Sequence, residues 1–213
     1  PEDQHQYLSI IQQQSRRLAA MIGDLLELSR LETGRAHLQP QPTPVGETVS
    51  RAVAALPDLT RTHRMLVEVA DGLPAVSFDP DGLVQVLVIL LENARKFSPR
   101  GSVIRVEAGR GRTGQALLTV ADSGPGICAE DLPRIFDRFY RGANHPRPDD
   151  GAVGAGMGLC IAQALVSAHG GHIQAQSTPG QGASFTLHLP LAASAPADSF
   201  PQRPQPVAAP SSG

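Results

Sequence analysis

From Asp3 to about Thr33, apolar or core-compatible residues recur at Tyr7, Ile11, Gln14, Leu18, Met21, Leu25 and Leu28. Steps alternating between four and three make a heptad seam, so the spacing predicts one long helix. Ile22, Leu26 and Leu31 widen the stripe beyond what a two-stranded zipper covers, which suits a bundle of four helices. The sequence supplies no second helix of this kind, so the partners must come from another segment or another subunit. The plain alternative is a helix folded back on the globular part. Gly34 to Pro44, with glycine at the helix exit and three prolines after it, reads as a linker.

Beyond the linker, short apolar runs replace the heptads. The pattern predicts a helix from Val45 to Leu56, strands at Met65 to Val69 and Val76 to Phe78, and an Asp-Pro-Asp helix start at Asp79 to Asp81. The next helix, Gly82 to Phe97, has a clean apolar face of Leu83, Val86, Leu87, Leu90, Leu91 and Ala94. Strands follow at Val103 to Ala108 and Ala116 to Ala121, with Gly109 to Gly114 turning between them. Leu132 to Tyr140 reads as a short amphipathic helix and Arg141 to Val153 as a polar loop. The last elements are a helix at Gly158 to His169 and strands at His172 to Gln176 and Ala183 to Leu189. Helices and strands mix without regular βαβ alternation, so the expected class is α+β, a mixed or antiparallel sheet with helices on one face. Residues 191–213 are mostly Ala, Pro, Ser and Gln, a composition that buries too little to order itself, and a disordered tail is expected. The domain plan is a helix to residue 34, a linker over 35–44, and a globular domain over 45–190.

Composition changes this picture little. The 213 residues are 41% hydrophobic with a formal net charge of −2, enough apolar content for one packed domain with extensions and without the dense basic surface that nucleic acid requires. Cys128 and Cys160 have no metal-ligand spacing and fit a reducing, cytoplasmic setting. No apolar run reaches the length of a membrane span. The chain begins at Pro1, so a longer parent is expected, and a membrane anchor in that parent stays open.

The candidate chemistry lies on the polar stripe of the Gly82 to Phe97 helix and in three glycine-bearing segments. At about 100° per residue, Gln85, Ile89, Glu92, Asn93 and Lys96 share one stripe. Asn93 offers an amide oxygen to a hard cation and Lys96 a point charge to phosphate. Alone, this is an ordinary solvated face. Lys96 is nevertheless the only lysine in the chain, beside 17 arginines. Asp122, in DSGPGI, closes an apolar strand and can accept a hydrogen bond from an exocyclic amine, with Gly124 and Gly126 giving a flat ring access to the backbone. It is also an ordinary strand-exit turn. Gly154, Gly156 and Gly158, in GAGMGL, precede a helix whose N-terminus suits phosphate. The spacing is neither a dinucleotide fingerprint nor a P-loop. Gly180 and Gly182, in TPGQGASF, make a hairpin turn.

Taken jointly, the order of LLENARKFSP, DSGPGI, a Phe-containing segment, GAGMGL and TPGQGASF resembles the catalytic domain of sensor histidine kinases. These belong to the ATPase superfamily shared with gyrase and the heat-shock chaperone ATPase. RRLAAMIGDLLELSRLETGR is similar to the second helix of that family's dimerisation and phosphoacceptor domain. The resemblance implies a two-layer α/β sandwich of the GHKL (Bergerat) type, preceded by one helix of a dimerisation bundle. It implies ATP and Mg²⁺ as cofactors, with Asn93 on the metal and Lys96 and Arg141 on the phosphates. Asp122 would select adenine, with Phe97, Gly124, Gly126, Ile127 and Tyr140 around the nucleotide. Gly154, Gly156, Met157, Gly158 and Leu159 would pass under the triphosphate, and Phe136 and Phe139 would anchor a lid over Arg141 to Val153. The implied reaction carries the γ-phosphoryl of ATP to a histidine and on to an aspartate of a response regulator, in a homodimer.

Three departures qualify the resemblance. The family's acceptor histidine sits in a His-Glu-Leu-Arg-Thr-Pro-like box on the first dimerisation helix, which this sequence lacks, and His5, His169, His172 and His188 do not replace it. Ile89 stands where another polar metal-side residue is usual. Ala155 and Ala183 replace the usual Ser or Thr of their glycine segments. Three alternatives to an active kinase follow: a degenerate nucleotide- or partner-binding module, motivated by Ile89; a chaperone-class ATPase, for which a glutamate at position 89 is wanting; and a serine kinase of the anti-sigma type, against which the heptad helix speaks.

Overall fold

The computed structural model describes residues 2–112, 114–142 and 156–193. Helix α1 (Glu2–Glu32) ends where Gly34 takes φ 65° and lets Arg35 N–H reach back to the Arg30 carbonyl at 2.9 Å, a glycine exit. The expected linker is partly structured, because Gln41–Thr43 forms strand β1, which pairs antiparallel with β3 (Val76–Phe78). Helix α2 (Val45–Ala54) is shorter than expected, and a second short helix, α3 (Pro57–Thr62), follows it. Pro57 explains the break, since proline ends one helix and suits the first turn of the next.

Five strands make the main sheet: β2 (Arg64–Val69), β4 (Val103–Arg110), β5 (Gln115–Ala121), β6 (His172–Ser177) and β7 (Ala183–Pro190). Their order is β2-β4-β5-β7-β6; β2 and β4 are parallel and the other neighbours antiparallel. The sheet is therefore mixed. Alternate residues point to one face, where Ile104, Val106, Leu118, Val120, Phe185 and Leu187 are buried. Helices α2, α4 (Pro80–Phe97) and α5 (Gly158–Ala168) contribute the other half of that core. On the opposite face Glu107, Thr119, Thr186 and Gln174 lie in one row across the strands, and the Thr119 and Thr186 hydroxyls share a 3.0 Å hydrogen bond.

Helix α4 carries most of the organisation. Asp79 caps it by accepting from Asp81 N–H and Gly82 N–H, both at 3.1 Å, and Pro80 takes the first turn. Its six expected core residues are all buried, each contributing roughly 1.5–3 kcal/mol for the larger side chains. That leaves the stripe of Gln85, Ile89, Glu92, Asn93 and Lys96 turned away from the sheet. At its start, His169 Nδ1 donates to the Leu165 carbonyl (2.8 Å) and Nε2 accepts from Asp79 N–H (3.1 Å). The ring stacks on Phe78 with centroids 3.7 Å apart, so this histidine is structural.

Two expectations need correction. Leu132 to Tyr140 is not a helix: a single 3₁₀ turn, Leu132–Arg134, gives way to turns that end with Phe139 in the left-handed region at φ 60°. The chain also stays paired past Pro190, with Leu191 bridging Val76 and Ala192 N–H donating to the Ala75 carbonyl at 2.8 Å; the rest of the expected tail, 194–213, lies outside the described residues. The heptad residues of α1 are not all buried alike. Leu28 and Leu31 are buried against the domain, whereas Tyr7, Ile11, Leu18 and Leu25 are exposed.

Candidate functional site

A cavity of about 420 Å³ opens between α4, the loops after β5 and the start of α5. All five residues of the polar stripe line it, together with Phe97, Asp122, Gly126, Ile127, Tyr140, Arg141, Gly156, Gly158 and Leu159. Sequence positions from 85 to 159 thus meet around one space.

Asp122 ends β5. Its Oδ1 accepts from Gly124 N–H at 2.7 Å and from Ala183 N–H at 3.3 Å. Burial pushes the carboxyl above its usual range, and the two backbone donors pull against that rise. The carboxylate is held rigidly in a half-buried setting, where accepting one more N–H counts for more than it would in water. Gly124 does not line the cavity. It packs behind Asp122, where a Cβ would stand 3.0 Å from the Phe97 carbonyl oxygen, so its part is to let the turn close.

The third glycine segment is a brace. A Cβ at Gly182 would meet the Asp122 carbonyl oxygen at 2.0 Å, and one at Gly126 the Thr178 carbonyl oxygen at 2.3 Å. Gly180 N–H donates to the Pro125 carbonyl (2.7 Å) and Ile127 N–H to Ser177 Oγ (2.8 Å). The β6–β7 turn thereby locks the Asp122 turn, while Ala183 and Phe185 reach the cavity.

Helix α5 begins at the cavity wall, and among the described residues no side-chain cap bond is made at its N-cap, Met157; a helix N-terminus of this kind suits an anion. The Met157 side chain is almost fully buried and seats the helix in the core, while Gly156, Gly158 and Leu159 line the cavity. Gly154 and Ala155 lie outside the described residues, as does most of the expected lid. Phe136 packs partly into the core, but Phe139 is 56% exposed, so it anchors through its backbone, Phe139 N–H donating to the Gly156 carbonyl at 3.1 Å.

Ile89 is half-buried on the cavity wall, and a Cβ on Gly158 would lie 3.1 Å from its Cγ2. It makes an apolar floor between α4 and α5. Among the described residues no cluster of three or more His, Cys, Asp and Glu could hold a metal by itself. Asn93 lines the cavity, and its amide oxygen is of the kind a hard cation takes beside phosphate and water oxygens.

Two acids escaped the sequence reading. Asp131 lines the cavity and accepts a 2.6 Å hydrogen bond at Oδ1 from the Tyr140 hydroxyl, which raises the phenol above its ordinary value. Asp24 reaches the same cavity from α1, and burial raises its carboxyl. Beside it, Gln85 Nε2 donates to both oxygens of Glu27 at 2.8 and 3.0 Å, and Arg138 pairs with Glu32. No periodicity marks either acid, because each reaches the site only through tertiary packing.

Residues 78–193 match the family described as histidine kinase-, DNA gyrase B-, and HSP90-like ATPase, and residues 1–34 match the His Kinase A (phospho-acceptor) domain. The chain is 34% identical over 173 residues to the sensor protein KdpD of Clostridium acetobutylicum, covering 81% of this chain and 19% of that protein. It is 34% identical over 181 residues to the adaptive-response sensory kinase SasA of a Nostoc species, covering 84% of this chain and 44% of the relative. The chain therefore spans less than half the length of these relatives. Full-length ShkA, solved in complex with AMPPNP, superposes with a TM-score of 0.72 at 27% identity, over 91% of this chain and 40% of that one. With the ATPase family spanning more than half of its residues and the phospho-acceptor match preceding it, the chain belongs to the sensor histidine kinases.

Proposed function

We propose that this chain binds Mg-ATP in the α4–α5 cavity and acts as the catalytic part of a protein-histidine kinase. The single observation that carries the reading is the gathering of Asn93, Lys96, Arg141, Asp122 and the start of α5 around one cavity. Asp122 accepts a hydrogen bond from the exocyclic amine of adenine, and Lys96, Arg141 and the α5 amides hold the phosphates. Asn93 holds Mg²⁺, which neutralises charge on the phosphate chain. In the transfer, an imidazole nitrogen of an acceptor histidine forms a bond to the γ-phosphorus as the bond to the β–γ bridging oxygen breaks, and ADP leaves. The phosphoryl then passes to an aspartate of a response regulator. Catalysis of this kind rests on positioning and charge stabilisation. The acceptor lies on a segment outside residues 1–213, and α1 pairs with its counterpart in a homodimer of the whole kinase.

Calorimetric titration of ATP into the wild-type chain and into Asp122→Asn, with and without Mg²⁺, tests the proposal. Wild type should bind with Mg²⁺ dependence, and the variant should lose tenfold or more in affinity, because an amide cannot offer the adenine amine a charged acceptor. Ile89 favours the second reading, a nucleotide-holding module without transfer. Absence of binding at millimolar ATP would sink the kinase assignment altogether.

A further inference from the structure

Arg141 is a short residue span from the left-handed turn at Phe139, and both of its neighbours rest on one carboxylate. Tyr140 donates its hydroxyl to Asp131 Oδ1 at 2.6 Å. Gly142 packs so tightly on the other oxygen that a Cβ there would stand 2.7 Å from Asp131 Oδ2. Arg134 covers the Tyr140 ring, its guanidinium carbon 4.4 Å from the centroid, so the phenol is held from a second side. Upstream, the segment is clasped to the far side of the loop by Phe139 N–H donating to the Gly156 carbonyl at 3.1 Å. A Cβ at Gly156 would approach the Tyr140 carbonyl oxygen to 3.0 Å. Phe139 at φ 60° pays of order 1–3 kcal/mol for its backbone conformation, which persists only where the surroundings over-determine it.

We infer that Asp131 is a positioning residue for the phosphoryl-transfer site: by holding Tyr140 with one oxygen and backing Gly142 with the other, it fixes the backbone that aims Arg141 into the nucleotide cavity. The inference rests on the proposed ATP site and goes beyond it by assigning a task to two side chains that need not touch nucleotide. A hinge held on both sides lets Arg141 meet phosphate without first being ordered, and that pre-organisation raises affinity for the charged part of the ligand alone.

The test compares ATP with adenosine, which lacks phosphate, as ligands of the full chain, with Tyr140→Phe, Asp131→Ala, Asp131→Asn and Arg141→Ala as variants. Tyr140→Phe and Asp131→Ala should each weaken ATP by about three- to tenfold, the worth of one hydrogen bond, and leave adenosine within about twofold. Asp131→Asn, which keeps an acceptor oxygen, should restore most of the ATP affinity. In an Arg141→Ala background, Tyr140→Phe should add almost nothing, because both changes remove the same contact. Equal losses for ATP and adenosine would mean a merely structural role and overturn the inference, as would undiminished ATP binding in Tyr140→Phe or additive losses with Arg141→Ala. A wild-type chain that binds neither ligand would overturn the ATP reading and the inference with it.

Discussion

Asp122 is held with one oxygen on two backbone N–H groups in surroundings that raise its carboxyl above the ordinary 3.8. Two pH effects of opposite sign follow. A carboxyl raised on folding contributes stability that is present below its unfolded value and lost as pH rises through the folded one, so the ionised form at neutral pH weakens the free protein. Binding runs the other way, since only the ionised group accepts freely from an amine. ATP affinity should therefore fall on acidification, starting above pH 3.8, the ordinary value, and titrations from neutral pH downward on wild type and Asp122→Asn would follow it. The variant should show a flatter profile while melting no lower than wild type, because the amide oxygen still serves Gly124 and Ala183. A parallel fall in both proteins would assign the pH effect to the nucleotide.

At the scale of elements, α4 divides its two faces between core and cavity, and Ile89 is the one stripe residue whose chemistry suits the first better than the second. Its contact with the start of α5 contributes packing between the two helices, at the cost of an oxygen beside Asn93. Ile89→Asn should strengthen Mg²⁺-dependent ATP binding by about two- to tenfold, the range of one added polar contact. It should also lower stability by roughly 1–3 kcal/mol, as expected when a half-buried apolar contact becomes polar. Calorimetry over a Mg²⁺ series and thermal melting measure both. An unchanged Mg²⁺ requirement would mean that Asn93 and the phosphates already complete the cation's needs.

At the scale of the whole molecule, α1 belongs to two environments. Its last turns bury Leu28 and Leu31 and carry Asp24 to the cavity wall, while Tyr7, Ile11, Leu18 and Leu25 are exposed. Replacing Leu28 and Leu31 together by Ala should remove about 2 kcal/mol or more of docking energy. The expected result is faster deuterium exchange across residues 18–32 with the β4, β5 and β7 amides still protected. Loss of protection throughout would show instead that α1 and the domain fold as one cooperative unit. Among the described residues no helix is long and apolar enough to cross a membrane.

The two faces of α4, the alternation of β4, β5 and β7, and the heptads of α1 could be read from residue order alone, because each follows from a local period and the need to bury apolar surface. The placing of Asn93 and Lys96 on one stripe was legible for the same reason. Other features depend on contacts between distant segments. Glu27 meets Gln85 across 58 positions and Asp122 meets Ala183 across 61. The helix expected over Leu132 to Tyr140 failed because tertiary pairing with Gly156 and Asp131 outweighed a local amphipathic pattern. Sequence order settled which faces could be buried; only the folded chain decided which carboxylates would meet in the cavity, since that depends on where non-adjacent elements cross.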